Sequence, residues 1–432
     1  QAEDGIRDVE RSRGLGDVYK RQDFNPVVYE RRIRKLVPYL NSKDIDLFII
    51  QSFPFYSLIP KLKKPVLVVD HGIPSAEGLP LRRRLKYKYI EISQNLSYFK
   101  KANKIVTVSK YLLNFLPKNL RKKATFIYNG CDHYQKRTIS REEINNFRNS
   151  LGVSSNDLLL LFVGRLNLTN QPYKGLSELI DIYQNIYKKN KNIKLLTVGY
   201  GSKNDEELLK NQGILSISNA PEELMPLIYN SCDIYTTCSQ WEGFDLPVAE
   251  AHSFKRPTIC YDIGAHSEIS QNGKTGFIVK DKKEFFEKLE FLINNPELRK
   301  EMGQNAEKYA SNFIWGNSVK KYHELIKEIL NLKDSDFKII PRTSKYKTKP
   351  YRNVSVVIVN YNSTYPVLKE CLDSIKAQTY KNIEIIIFDN NSTHNVLDDI
   401  KKEFKDIKVI YSNRNLGLGE GINQAIKHTN SE

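Results

Sequence analysis

From about residue 23 onward, short runs rich in Val, Ile, Leu and Phe alternate with longer segments of helical period. This alternation is the strongest constraint on the fold, because parallel strands need a crossover between them and a helix supplies it compactly. "DLFII" (46–50), "PVLVVDHG" (65–72), "KIVTVS" (104–109) and "ATFIYNG" (124–130) are expected strands that end in polar or Gly turns. A second series follows a polar stretch near 133–157: "LLLLFVGR" (158–165), "IKLLTVGYG" (193–201), "DIYTTCS" (233–239) and "PTICYD" (257–262). Between its first two members, "GLSELIDIYQNIYKKN" (175–190) repeats apolar residues at i, i+3 and i+4, the spacing of a helix buried on one face. Helices are expected from Lys282 to about Leu332. A third series opens with "VSVVIVNYN" (354–362) and "IEIIIFDNNS" (383–392), separated by a helix that includes "VLKECLDSIKAQ".

These breaks divide the 432 residues into segments of the usual domain size, roughly 150 residues each. Residues 23–150 and 151–332 are expected to form two Rossmann-like domains, 333–353 a charged, Pro-interrupted linker, and 354–432 the start of another α/β domain. Residues 1–22 have no apolar periodicity, signal-peptide core or cleavage site. They resemble a translated sequencing adapter and are set aside as a non-native leader. With no initiating Met and an end in mid-pattern, the sequence reads as a fragment.

Composition narrows the partners. No run approaches the ~20 apolar residues of a membrane span, and five scattered cysteines without a CxxC pair point to a reducing compartment without structural zinc. The net charge of +17 is concentrated between Leu81 and Lys123, where Arg82, Arg83, Arg84, Lys86, Lys88 and further bases face Glu91 as their only acid. Tyr87, Tyr89, Tyr98 and Phe99 interleave with them. Such a segment can be a solvated basic face, can lie on an anionic bilayer, or can bind nucleic acid.

Ligands of open α/β sheets bind at the carboxyl ends of the strands, and four loops of the second series fall there. "VGRLNLTNQPYKG" supplies Arg165 and Lys174, and "VGYGS" supplies Gly199 and Gly201. "CSQWEGFDLP" and "YDIGAHSEI" follow the next two strands. Two cations, a Gly turn and a helix N-terminus at one edge suit a diphosphate. In "WEGFDLPVAEA" (241–251), Asp245 is expected to cap the following helix, with Pro247 in its first turn. Glu242 then faces the cleft from the loop and Glu250 from the helix. Carboxylates accept hydrogen bonds from diols and repel phosphate, so both glutamates should address sugar or ribose hydroxyls.

"EGFDLPVAEA" with its E-x7-E spacing, "VGRL…YKG", "VGYG", "IYNGCD" (127–132) and "FIW" (313–315) together resemble glycosyltransferase family 4, retaining enzymes of the GT-B fold. The likeness covers roughly Asp46 to Leu332. It implies that Arg165 and Lys174, with Gly199 and Gly201, bind the donor diphosphate, and that Glu250 holds the ribose. It also implies that Glu242 meets the sugar with the backbone around Phe244, Asp245 and Leu246, and that His71 faces the sugar from the first domain. Glu242 and His71 are the implied catalytic residues, and no cofactor is implied. The sequence departs from the pattern where Arg165 and Lys174 stand nine apart, making "NLTNQ" an insertion, and where Asp245 replaces a common Gly. The opening strand and Gly-rich loop of the first domain are expected to lie outside this sequence.

"VSVVIVNYN…LKECLDSIKAQTYKNIEIIIFDNNS…NRNLGLGEGINQAIKH" resembles the start of glycosyltransferase family 2, an inverting GT-A fold. By that likeness Asn360, Tyr361 and Asp389 line a nucleotide pocket, and Asn415, Gly417, Gly419 and Asn423 form a turn motif. A complete domain of that kind would take a divalent metal, Mg or Mn; no metal site is expected within these residues.

The two resemblances imply a glycosyltransferase that moves a sugar from a nucleotide-diphosphate sugar to a glycan or lipid-linked acceptor in surface polysaccharide or glycoconjugate biosynthesis. Its expected place is the cytoplasm, with peripheral contact at the anionic inner face of the membrane and no nucleic-acid partner. Two alternatives stay open on the sequence. One is a GT-B-fold nucleotide-sugar epimerase; the other is a non-catalytic module that binds nucleotide sugar or nucleic acid.

Overall fold

The computed structural model describes residues 26–74, 81–134, 138–168, 172–332, 354–376, 383–394 and 396–429. The leader, the linker and the last three residues of the "NLTNQ" insertion lie outside them. The chain divides into two units, residues 1–334 and 335–432.

The first unit holds two parallel sheets. Strands β1 (Phe48–Ile50), β2 (Val66–Asp70), β3 (Lys104–Thr107) and β4 (Ala124–Phe126) lie side by side in chain order. The second sheet contains β5 (Leu158–Val163), β6 (Ile193–Gly199), β7 (Leu215–Ser218), β8 (Ile234–Thr236), β9 (Thr258–Tyr261) and β10 (Gly276–Val279), in the order β10-β9-β8-β5-β6-β7. The order turns at β5, which lies between β6 and β8. Such a switch point leaves a crevice at the strands' carboxyl ends. β7 and β10 escape a reading by pattern, since "LSIS" and "GFIV" are too short to carry a period.

Burial explains the second sheet. Leu159, Leu160 and Leu161 of β5 have no exposed surface, as expected of a parallel strand covered on both faces. One cover is the helix Leu176–Lys189, whose Leu176, Leu179, Ile180, Tyr183 and Ile186 are buried. The last helix, Trp315–Leu330, does not stay with this sheet. Its Tyr322, Leu325, Ile326 and Ile329 pack on Leu67, Val106 and Ile127 of the first half, and Glu328 pairs with Lys104 at 2.5 Å.

The second unit is a three-stranded parallel sheet of β11 (Val354–Asn360), β12 (Ile383–Asp389) and β13 (Ile407–Tyr411). Leu368, Leu372, Leu397, Ile400 and Phe404 fill one side, while Ile386, Phe388 and Ala425 pack on the other. Among the described residues of both units no helix is long and apolar enough to cross a membrane.

Asp70 ends β2 as a buried acid. Its Oδ1 accepts from the Gly72 amide at 3.0 Å and from Gln94 Nε2 at 3.2 Å. Burial raises its pKa from 3.8 to about 6 despite those two donors. A raised carboxyl favours the folded state at low pH and loses that contribution as pH rises through 6. Asp70→Asn is therefore expected to raise the unfolding free energy over wild type at pH 7.5, by up to about 3 kcal/mol. The gain should vanish near pH 3.5, which urea denaturation at the two pH values measures.

Candidate functional site

Four loops converge at the carboxyl edge of the second sheet. The insertion loop after β5 returns to Lys174 in a short helical turn, and the Tyr173 carbonyl accepts from the Gln240 amide at 2.7 Å. This stitches the loop to the turn that follows β8. A Cβ on Gly175 (φ +68°) would lie 1.9 Å from the Cys238 carbonyl, so only a residue without one lets the two loops meet so closely. Lys174 Nζ thereby reaches Glu242 Oε1 at 2.6 Å, and the Ser239 hydroxyl donates to the same oxygen at 2.7 Å. Glu242 is 5% exposed. Burial and then Asp245 push its carboxyl up, with Lys174 opposing; burial pulls the Lys174 ammonium down, but Glu242 and Asp245 outweigh it and the net shift is upward. The widened Arg165–Lys174 spacing thus does not keep Lys174 from the Glu242 turn.

Arg165 lies apart from that pair. Its guanidinium carbon sits 5.0 Å from the Tyr200 ring centroid. It lines a cleft of about 370 Å³ with Gly201, Ser202, Asp205 and Asn219. Gly199 (φ +145°) packs on the Gly164 carbonyl, and Gly201 stands against Leu166. Burial raises the Tyr173 pKa, and both Lys174 and Arg165 lie within electrostatic reach of its phenol.

Asp245 does not cap the following helix, Leu246–Ser253. Its side chain turns away because the residue is left-handed (φ +50°), the conformation in which Gly is common. Its Oδ2 lies 2.8 Å from His266 Nε2, while His266 Nδ1 lies 2.7 Å from the Tyr261 carbonyl. Burial opposes charge on His266, but Cys260 and Asp245 beside it hold its pKa well above the ordinary value. Phe244 packs its ring against Tyr128 and Phe313, leaving only its backbone for a ligand. Leu246 opens the helix.

Glu250 is 3% exposed and faces inward. Tyr229 donates its hydroxyl to Oε2 at 2.5 Å, and His133 Nε2 lies 3.2 Å from Oε1. The Glu250 hydrogen bond raises the His133 pKa against a smaller opposing effect of burial. Sequence reasoning missed His133 and Tyr229. The signal for His133 is its place directly after "IYNGCD"; Tyr229 lies in a short helix whose residues carry no motif. The buried Tyr235 phenol lies within electrostatic reach of Glu242, Asp245 and Glu250.

The first half closes on this edge through the loop after β2. A Cβ on Gly243 would lie 2.5 Å from the His71 carbonyl, and one on Gly72 would lie 2.8 Å from the Trp241 ring. His71 is thus carried to the Glu242 turn, with its side chain exposed and its basicity lowered by the surrounding walls. In the basic segment, Tyr98 and Phe99 are buried core residues rather than a surface stacking platform. Lys123 donates to the backbone carbonyls of Lys100 and Ala102.

In the second unit Asn360 and Asp389 end neighbouring strands, and Asn360 Nδ2 donates to Asp389 Oδ1 at 2.8 Å. Tyr361 is exposed. Asn390 bridges to Asn415 and accepts from the Leu416 amide at 2.7 Å, fixing the turn at Gly417 (φ +74°) that opens the helix Gly417–Ile426. Gly419 and Asn423 lie within that helix. Among the described residues no group of three or more His, Cys, Asp or Glu is placed to hold a metal ion. The Asp389 carboxylate is engaged by Asn360 and Ser392.

Residues 143–309 match the family model of glycosyl transferases group 1, and residues 355–432 match glycosyl transferase family 2. Neither match is to an epimerase. An uncharacterized glycosyltransferase of Methanocaldococcus jannaschii is 28% identical over 278 residues, 62% of this chain and 70% of the relative. The capsular polysaccharide biosynthesis glycosyltransferase CapM of Staphylococcus aureus is 26% identical over 343 residues, covering 69% of this chain and 87% of CapM. Anabaena HepE, solved with UDP and glucose, superposes with a TM-score of 0.56 at 18% identity over 69% of this chain and 81% of HepE. The chain is a glycosyltransferase whose first unit has the GT-B fold, with a match to the group 1 model followed by a match to the family 2 model.

Proposed function

We propose that the first unit is a family 4, retaining transferase that moves a sugar from a nucleoside-diphosphate donor to a hydroxyl of a glycan or lipid-linked acceptor. The observation that carries this reading is the contact of Lys174 with Glu242 at the switch-point crevice. It joins a cation suited to the leaving diphosphate with a carboxylate suited to sugar hydroxyls. Arg165 and the amides at Gly199 and Gly201 hold the diphosphate, and Glu250 holds the ribose. The Glu242 oxygen is taken up by Lys174 and the buried Ser239 hydroxyl, and Glu250 by Tyr229 and His133, so charge stabilisation of the departing diphosphate is the main contribution. That phosphate then takes the acceptor's proton on the same face, with His71 lining the sugar's other side. A role in surface polysaccharide or glycoconjugate assembly is supported by the likeness to CapM, a capsular polysaccharide biosynthesis glycosyltransferase. The family 2 segment, with Asn360, Tyr361 and Asp389 at a second nucleotide pocket, suits a further addition to the same glycan.

The acceptor side supports a peripheral site at an anionic membrane. On the helix Leu81–Ser93, Leu81, Leu85, Lys88 and Ile92 share one face. Leu81 is 68% and Leu85 61% exposed, with Arg84 exposed beside them. Exposed apolar residues among bases are what an anionic interface recognises. The Leu81→Glu/Leu85→Glu variant is expected to lose flotation with anionic liposomes. Flotation equal to wild type would remove the membrane from the proposal.

Glu242→Gln should keep the fold and lower transfer by at least about a hundredfold, because a charged hydrogen bond to the sugar becomes a neutral one. Turnover on a panel of nucleotide sugars measures it, and wild-type rates would contradict the assignment. Glu250→Ala should weaken binding of a nucleoside diphosphate by about tenfold or more, the loss of one or two hydrogen bonds to a diol. Calorimetry with UDP and GDP reads that loss.

A further inference from the structure

Glu268 is the one acidic side chain of the short helix His266–Ile269, which follows β9 in the second half. Its carboxylate leaves that half and closes on the first. Oε2 accepts from the Lys110 amide at 2.9 Å, Oε1 from the Tyr111 amide at 2.5 Å, and Oε2 also from the Tyr128 hydroxyl at 2.8 Å. Lys110 and Tyr111 begin the helix Lys110–Phe115, whose next amide, Leu112, is capped by Ser109 at 3.2 Å. The first turn of a first-half helix is therefore satisfied partly by its own residue and partly by an acid from across the cleft. Tyr309 fixes the base of the bracket by donating to the Glu268 carbonyl at 2.8 Å.

What the bracket holds lies one residue further on. The Leu112 side chain is the atom group that a Cβ on Gly72 would meet at 2.7 Å, and it also abuts Gly243. Gly72 follows His71, and Gly243 follows Glu242. On the other side, a Cβ on Gly264, four residues before Glu268, would lie 2.0 Å from the Glu242 carbonyl. Glu268 thus ties together the two segments that carry His71 and Glu242 while touching neither side chain.

We propose that Glu268 is a positioning residue for transfer: by capping the Lys110–Phe115 helix across the cleft, it fixes the register in which His71 is presented to the sugar held by Glu242. The inference rests on the proposed roles of Glu242 and His71. Donor binding lies within the second half and does not depend on the bracket. The chemical step depends on both halves, and small displacements of a reacting group are costly.

The test uses Glu268→Ala, Glu268→Gln and Tyr128→Phe in the full chain. UDP affinity by calorimetry should stay within about twofold of wild type. With whichever sugar nucleotide the panel identifies, kcat should fall by about tenfold or more in Glu268→Ala, with a small change in donor KM. Glu268→Gln and Tyr128→Phe, which keep part of the bracket, should fall between. Hydrogen exchange at the Lys110 and Tyr111 amides should speed up by about tenfold or more in Glu268→Ala, a readout independent of turnover. Wild-type kcat with fast exchange would overturn the proposal, as would UDP affinity lost in parallel with kcat. Unchanged exchange would refute the bracket itself. Failure of the underlying reading is separate: it appears as wild-type turnover in Glu242→Gln, or as no turnover of any donor by the unaltered chain.

Discussion

The organisation of the crevice turns on a part-buried ion pair. Glu242 and Lys174 come from loops far apart in sequence and meet at 2.6 Å, the carboxylate buried and the ammonium partly exposed. An isolated charge there would be costly, whereas each partner, hydrogen-bonded by the other, is tolerable. Ser239 adds a third group to the same oxygen. The pair explains why Lys174, at the end of the insertion loop, is held at the Glu242 turn, and why the Gly after it lies directly on the Cys238 carbonyl. Under the proposed function a bound donor exchanges this contact for its own hydroxyls and phosphates, so the pair would polarise the crevice along the axis on which sugar and diphosphate separate.

A second pair, fully buried, lies within electrostatic reach of the first and answers a different need. Asp245 occupies a left-handed position that disfavours a side chain, yet its carboxylate is matched by His266. The two residues depart together from a simple Gly turn, one supplying the acid and the other its partner. Glu250 shows a third solution, a carboxylate surrounded by Tyr229, His133 and the phenol of Tyr134. Three neighbouring acids are thus each neutralised by a different device, which limits their mutual repulsion in one small volume.

The strands of the central sheets were legible from apolar runs ending in Gly or polar turns, because a buried parallel strand reads almost the same wherever it occurs. β5, β6 and the helix Leu176–Lys189 lie where periodicity puts them. The short outer strands β7, β10 and β13 carry too few residues to betray a period. At the site, the strand-end loops and the family resemblance pointed to Glu242, Glu250, Arg165 and Lys174, and the structure joins Lys174 to Glu242 across 68 residues. Sequence reading did not disclose His133, Tyr229, His266 or Glu268, because each matters through a partner from 21 to 158 residues away. It also mistook Asp245 for a cap, since capping is inferred from residue type while the outcome is decided by φ and by a histidine on the next strand's loop.

The helix Trp315–Leu330 has a consequence for how this protein comes into being. Leu67, Val106 and Ile127 are covered by residues made some 200 positions later, after the whole of the second sheet. As the chain leaves the ribosome, the first sheet has to wait with one apolar face bare, and closing it requires a long-range contact of the kind that slows folding. The two halves are therefore a single folding unit threaded in the order first, second, first. Any excision of the early sheet as an independent piece would leave it without its last wall.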